Sequence, residues 1–458
     1  MKSNIVKEII GNGLAQILLK VIRVFDQLLL IPFFLNAWGT EYYGEWVTLS
    51  IIPAVLGFSD LGIGTAVGNS FVLAYAAGER EKAANLKKSG FVVISCTIIL
   101  GFILSLIILF IADYLNLFDK TIIISNDAII SVTLLMVAKL ITFYHHLIEG
   151  LYRGAQKAAL GSLIYSGYSA VNIISGFIAL IIGCGVVGYA FSQFLVSIIF
   201  TILYFIIGNK VINLKGCKGH VILTDIKAVI YKGIGYMINM IWQIVYFQGG
   251  VFVVRLTLGP ESVTAFNTMR TACRSVSQMF NIVNGSVFPT LQYEYGKGNI
   301  QIVYRIFRLS ILFSIIIGFI GVLLLILFGF NIYNLWTQSV LVVPKEVWYT
   351  FVVGILFNAV WWSAIVAYSV TNNPYNLAIP SLIVACLSVG LSYVLSIYLG
   401  LWGAVFGAIM FDVIMMFYVI PNSSGLLGLK TIQLFSNIKQ DILFLKKSFY
   451  SSFLVFRN

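Results

Sequence analysis

Long apolar runs alternate along this chain with short polar breaks. A helix needs about 20 consecutive apolar residues to cross the hydrocarbon of a bilayer. Twelve such runs occur, near 9–35, 43–77, 88–112, 127–149, 158–182, 186–208, 229–254, 262–290, 305–330, 347–371, 378–398 and 402–421. The second and eighth exceed what a membrane requires, so those helices should tilt or extend beyond it. The polar break at 209–228 separates six runs from six. This predicts an N-terminal lobe over 1–208, a cytoplasmic linker over 209–228 and a C-terminal lobe over 229–421. Beyond 421 the hydropathy falls. Ile438, Ile442, Leu445 and Phe449 repeat at helical spacing, with Lys439, Asp441, Lys446 and Lys447 off that stripe. The tail 422–458 reads as a basic amphipathic helix on the inner membrane surface. A frayed basic tail fits the pattern nearly as well.

Composition agrees with twelve spans. Hydrophobic residues make up 60% of the 458 and charged residues 10%, against about 45–50% and about 25% in soluble domains. No polar stretch is long enough to fold a soluble domain. The formal net charge of +12 is therefore read through the loops rather than as a nucleic-acid surface. One alternating set of loops and the termini carries 21 Lys and Arg; the other carries only Lys120, Arg255 and Lys345. The positive-inside rule puts both termini in the cytoplasm. Lys2 and Lys7 ahead of an apolar run look like a signal peptide. The run is too long, is charged inside and lacks an A-x-A site, so it reads as an uncleaved first span. Five scattered cysteines without C-x-x-C spacing read as small buried hydrophobes.

The halves repeat. Gly13, Gly39, Glu41, Thr48, Val67, Tyr75 and Gly78 match Gly233, Gly259, Glu261, Thr268, Val287, Tyr295 and Gly298, each pair 220 apart. Gly185, Gly188 and Phe191 match Gly400, Gly403 and Phe406, now 215 apart. Six spans per half is an even number, so both halves enter from the same side. That is a parallel repeat, and substrate sites in such folds lie near the midplane.

Charges within the spans are the candidate chemistry. Lys20, Arg23, Lys139, Arg270 and Arg274 are intramembrane cations, each costing about 2.5–3.5 kcal/mol at a helix centre. They should face a watery cavity. Gln16, Lys20, Arg23 and Gln27 fall on one helix face, and Arg270, Arg274, Gln278 and Asn281 make a similar stripe in the eighth span. Asn239, Gln243 and Tyr246 add polar groups in the seventh. Three acids, Asp26, Asp60 and Asp412, leave positive charge in excess, so the cavity should hold an anion. Arginine suits phosphate because its planar fork binds two oxygens at once. A plainer reading pairs Arg23 with Asp26 at i, i+3 as a structural ion pair, and Lys139 with Asp60 or Asp412, or lets Lys139 snorkel.

Other motifs lead nowhere. His145, His146 and Glu149 lack H-E-x-x-H spacing and read as a polar helix end rather than a metal site. "GLLGLKT" at 425–431 lacks the Gly directly before Lys430 that a phosphate-binding loop requires, so ATP hydrolysis is not indicated.

The segment "GTEYYGEWVTLSIIPAVLGFSDLGIGTAVGNSFVLAYAAGEREKA" from Gly39 carries the turn Gly39-x-Glu41-x-x-Gly44, then Asp60-Leu61-Gly62-Ile63-Gly64, then Tyr75-x-x-Gly78. With "LYRGAQKA" at 151–158 and "GSVFPTLQYEYGKGN" at 285–299, it resembles the polysaccharide-biosynthesis transporters. The chain looks like an O-antigen flippase (Wzx-type) of the multidrug/oligosaccharidyl-lipid/polysaccharide (MOP) exporter superfamily. The resemblance covers the chain up to about 421.

The resemblance implies an all-α, MATE-like polytopic membrane fold of two six-helix lobes working by alternating access in a bacterial inner membrane. It implies a transporter rather than an enzyme. The implied substrate is an undecaprenyl-pyrophosphate-linked oligosaccharide, a repeat unit for O-antigen or lipopolysaccharide biosynthesis. A polysaccharide polymerase and a chain-length regulator would be its partners. Relatives that flip the cell-wall precursor typically have fourteen spans, and twelve argues against that assignment.

Under this reading Lys20, Arg23, Arg270 and Arg274 hold the pyrophosphate with help from Lys139, Gln243 and Gln278. Asp26, Asp60 and Asp412 are candidates for proton or sodium coupling, and no other cofactor is implied. Two rivals remain. A drug or small-molecule exporter of the same superfamily would prefer acids in its lumen. A polysaccharide polymerase would carry a sizeable external loop, whereas the longest outward connection here is the short one near 113–126.

Overall fold

The computed structural model describes residues 2–57, 62–114, 122–214, 216–336, 343–436 and 440–441. Regular structure among them is entirely helical. The helices are α1 (Lys2–Gly57), α2 (Ile63–Ala76), α3 (Arg80–Tyr114), α4 (Ser125–Ile141), α5 (Tyr144–Gly154), α6 (Ala158–Ile182) and α7 (Gly185–Val211). They continue with α8 (Leu223–Leu258), α9 (Pro260–Gly296), α10 (Ile300–Leu324), α11 (Phe330–Trp336), α12 (Lys345–Trp362), α13 (Val366–Val370), α14 (Tyr375–Leu426) and the short α15 (Gln433–Ser436).

The apolar runs map onto these helices with instructive breaks. α1 holds the first run and the start of the second, turned at Gly39 (φ 75°, ψ 171°). α2 finishes the second run after a left-handed Gly62. The fourth is interrupted between α4 and α5, where Thr142 donates its hydroxyl to the Lys139 carbonyl at 2.6 Å. The ninth passes through a π-helical turn at Leu325–Gly329. α14 contains the last two, turned at Gly400 (φ 61°, ψ −142°). Among the described residues, eight helices are long and apolar enough to cross a membrane. The chain is a multi-pass membrane protein, and the face of α3 shows why. Leu100, Leu104, Ile107 and Phe110 are exposed there, a patch water would not tolerate and lipid tails match.

The repeat is written into the backbone. Gly39 and Gly259 adopt φ 75° and 83°, Gly78 and Gly298 86° and 82°, and Gly185 and Gly400 64° and 61°. Each pair consists of residues matched by sequence offset. A positive φ is disfavoured for a residue with a Cβ, and with the extended ψ of Gly39 (171°) and Gly259 (179°) it is essentially confined to glycine. That is why glycine stands at both copies.

By packing, the chain forms two compact units, Leu14–Met237 and Met1–Gly13 with Ile238–Asn458. Their boundaries fall inside α1 and α8. In the N-terminal unit α2 and α5 cross at glycines: a Cβ on Gly150 would lie 2.9 Å from the Gly68 Cα. This contact brings Asn69 to Arg153 (Nη1 to Oδ1, 3.0 Å), and Asn69 in turn donates to the Tyr236 hydroxyl at 2.7 Å. The segment read as a linker, 209–228, packs on α3. His220 donates its amide to Asn85 at 2.7 Å and Ile222 to Ser89 at 3.0 Å.

In the C-terminal unit α9, α10, α12, α13 and α14 enclose a core around Phe307, Trp361, Tyr368, Phe411 and Met415. Asn12 joins it, donating to the Ser286 carbonyl at 3.3 Å. α14 runs to Leu426, five residues past the predicted end of the last span. The tail differs from its sequence reading at Asp441, expected on a polar face. Asp441 is 1% exposed and accepts both Arg308 Nε (2.7 Å) and Nη2 (3.0 Å). Ile438, Ile442, Leu445 and Phe449 lie outside the described residues.

Candidate substrate-binding site

A cavity of about 240 Å³ opens within the C-terminal unit. α8 supplies Gln243, Tyr246 and Phe247, α9 supplies Arg270, Arg274, Gln278 and Asn281, α12 supplies Asn358 and Trp361, and α14 supplies Asp412. The polar stripe on α9 therefore faces one cavity along its whole length. A periodic row of Arg, Gln and Asn in an apolar helix is stable only where it has such a place to face.

The two arginines are held differently. Arg270 Nη1 donates to the Phe247 carbonyl at 2.8 Å and Nη2 to Asn267 Oδ1 at 3.0 Å. Its guanidinium also lies 5.2 Å from the Phe266 ring centroid. Arg274 sits 4.2 Å from the Phe247 ring centroid and remains exposed. Arg270 is thus built into the wall, while Arg274 presents its charge to the cavity.

The opposing wall is organised around Asp412. Its Oδ1 accepts Asn358 Nδ2 at 2.8 Å and Trp361 Nε1 at 3.0 Å. Tyr246 approaches Oδ2 at 3.5 Å and donates more closely to the Ala408 carbonyl, at 3.2 Å. Behind it, Phe411 stacks on Tyr246 (4.3 Å between centroids) and Trp242 (5.1 Å). Trp362 donates to Asn281 Oδ1 at 2.9 Å. Two arginines against one acid leave the cavity with net positive charge and aromatic side walls.

The structure gathers five predicted site residues here: Gln243, Arg270, Arg274, Gln278 and Asp412. Lys20 lies half-buried in the N-terminal unit, one helical turn past Gln16. Lys139 is exposed in the last turn of α4. The side chains of Arg23 and Asp26, and Asp60 as a whole, lie outside the described residues. Asn358 and Trp361 were not anticipated, because nothing in their apolar run marks which helix they meet. His145 departs from its reading as a polar helix end. It is 6% exposed, boxed by Tyr165, Tyr168, Phe200 and Tyr204.

No protein-family model and no curated protein sequence matches the chain. Solved structures do. A MATE crystallised in its straight conformation superposes with a TM-score of 0.72 at 17% identity, over 93% of this chain and 96% of that one. The fold is that of the MATE transporters. An outward-facing multidrug resistance MATE family transporter of the MOP superfamily gives a TM-score of 0.67 at 18% identity, covering 93% of this chain and 96% of its own. A MOP superfamily transporter from Pyrococcus furiosus, described as having a binding pocket of reverse polarity, gives 0.66 at 17% identity and covers 92% and 96%.

Proposed function

We propose that this protein is a flippase. It moves a polyprenyl-pyrophosphate-linked oligosaccharide, such as an O-antigen repeat unit, from the cytoplasmic to the outer leaflet by alternating access. One observation carries the reading: Arg270 and Arg274 stand together in a largely apolar cavity with Asp412 as the acid facing them. Two guanidinium groups inside a membrane protein are costly unless they meet an anion. A pyrophosphate offers paired oxygens to the planar fork of each. The aromatic wall of Tyr246, Trp361 and Trp362 suits the amphipathic faces of sugar rings, and a polyprenyl chain can stay in lipid while its head group crosses. Gln243 and Gln278 supply neutral polar contacts. In this reading Lys20, Arg23 and Lys139 are further anion-binding residues, and Asp26, Asp60 or Asp412 couples the cycle to protons or sodium. The membrane is a bacterial inner membrane with both chain termini cytoplasmic, where the polymerase and chain-length regulator would meet the product.

A second reading has a specific observation behind it. The acid Asp412 beside an aromatic wall also suits a cationic drug, and one structural neighbour is a multidrug resistance transporter. The experiment that separates the two is charge reversal. R270E with R274E should abolish export of the lipid-linked oligosaccharide while the protein still folds and inserts, and should improve handling of cationic drugs if the second reading holds. Full export by that double variant refutes the flippase site.

A further inference from the structure

The first thirteen residues pack in the C-terminal unit, while α1 from Leu14 onward belongs to the other unit. This opening stretch runs antiparallel to the end of α9. Asn12 donates to the Ser286 carbonyl at 3.3 Å, and a Cβ on Gly13 would lie 2.9 Å from Ser286 Oγ. Ile5 and Ile9 pack in the same apolar cluster as Val287 and Leu291. One turn back from Asn12 along α1 and one turn on from Ser286 along α9, Glu8 meets Thr290, and Glu294 follows a turn later. An apolar seam therefore contains two carboxyl groups.

The two acids are not equivalent. Glu294 is 3% exposed, and the Asn299 side-chain amide donates to its Oε2. That bond favours the ionised form. Glu8 is half-buried and faces the Thr290 hydroxyl. Thr290 Oγ1 is itself buried and completes no hydrogen bond, so it does little to hold a charge on Glu8. Burial dominates: it pushes the Glu8 carboxyl up to about 7, against the Thr290 hydroxyl and with the charge of Glu294. The nearby cations are turned away or engaged. Lys7 points about 100° away from Glu8 round α1. Lys297 is exposed, and Arg305 and Arg308 of α10 are held by Asp441 at 3.5 and 2.7 Å. From α13 comes Tyr368, a buried hydroxyl that is neutral near pH 7.

We propose that Glu8 is a proton-binding site tuned by Glu294: a proton on Glu8 fastens the start of α1 to α9, and its loss sets two like charges in the seam and loosens that start. Water supplies the proton and takes it back, since Glu8 is half-buried rather than sealed. The attachment of α1 thus responds to pH on the side of the membrane where the chain begins. It is tight below neutral pH and weaker above. This site goes beyond the flippase reading and does not rest on it.

The test uses the full chain in lipid nanodiscs, without substrate, titrated from well below to well above pH 7. Infrared difference spectra read the protonated carboxyl band. Hydrogen exchange of residues 5–13, corrected for the intrinsic effect of pH, reads the attachment of α1. The proposal expects one carboxyl in the wild type to titrate near neutral pH and its band to vanish in E8Q. E294Q should lower the midpoint by removing the like charge, and T290V should raise it by removing the hydroxyl. Protection of residues 5–13 should fall with deprotonation in the wild type and stay high at every pH in E8Q. T290V leaves both carboxyls in place and carries the test if E8Q fails to fold. A band that survives in E8Q overturns the proposal, as do midpoints that move in neither E294Q nor T290V. So does protection in the wild type that ignores the titration. Substrate plays no part in these readings, so loss of the flippase reading would leave the site standing, and loss of the site would leave that reading intact.

Discussion

Arg270 donates to the backbone carbonyl of Phe247 at 2.8 Å, and Arg274, one turn further along α9, rests 4.2 Å from the centroid of the ring of that same Phe247. One residue of α8 therefore orients both cations. The two substitutions should behave differently. A charge-assisted hydrogen bond is worth about 1.5–3 kcal/mol, so Arg274→Ala should weaken binding of a polyprenyl-pyrophosphate ligand roughly 10- to 100-fold with little change in Tm. Arg270→Ala should lower both affinity and Tm, because it also strips the wall of its ties to Phe247 and Asn267. Ligand titration and thermal unfolding of the purified variants check this.

Asp412 is the meeting point of Asn358 and Trp361. Asp412→Asn keeps an oxygen for both donors and should leave Tm close to wild type. Asp412→Ala strands two buried donors at about 1–3 kcal/mol each and should melt several degrees lower. If Asp412 also couples the cycle to an ion, Asp412→Asn should bind substrate normally yet lose the ion dependence of transport. A parallel measurement of melting, binding and transport separates these roles.

Arg308 and Asp441 form a buried two-pronged ion pair between α10 and the tail. Removing one partner of such a pair costs about 3–5 kcal/mol, whereas replacing both with apolar groups is often neutral. Asp441→Ala should therefore destabilise markedly, and Arg308→Leu with Asp441→Leu should recover most of the loss. Truncation of the chain before 440 should behave like Asp441→Ala. Thermal unfolding in detergent reads all three.

Glu8 precedes the first span and packs in the C-terminal unit. Burial pushes its carboxyl up from the ordinary 4.5 to about 7, and the charge of nearby Glu294 adds to the effect. Between those two values the folded chain holds a proton that the unfolded chain has released. Stability should therefore fall as pH rises from about 4.5 to about 7 and level off above. Glu8→Gln should flatten Tm against pH across that window. An unchanged slope in the variant would contradict the assignment.

The spans were legible in the sequence because hydrocarbon imposes a length and a composition that few other environments require. The duplication was legible through glycines such as Gly39 and Gly259, whose φ excludes most other residues. The stripe Arg270, Arg274, Gln278 and Asn281 was legible because polar groups at helical period in an apolar run must share a cavity. What stayed hidden depends on which helices meet. No periodicity announces that Trp361 and Asn358 converge on Asp412 from another helix. His145 looked like a helix end because the break after Ile141, set by local bonding at Thr142, leaves no mark in hydropathy. Asp441 looked solvated because its partner Arg308 is 133 residues away.

The most direct test of the central claim is the leaflet distribution of lipid-linked oligosaccharides in a strain lacking this protein, read with a probe that does not cross the membrane. The account predicts intact units trapped on the cytoplasmic side, with surface polysaccharide lost and restored by wild type but not by the R270E, R274E variant. Units that reach the outer leaflet at the normal rate without this protein would contradict it.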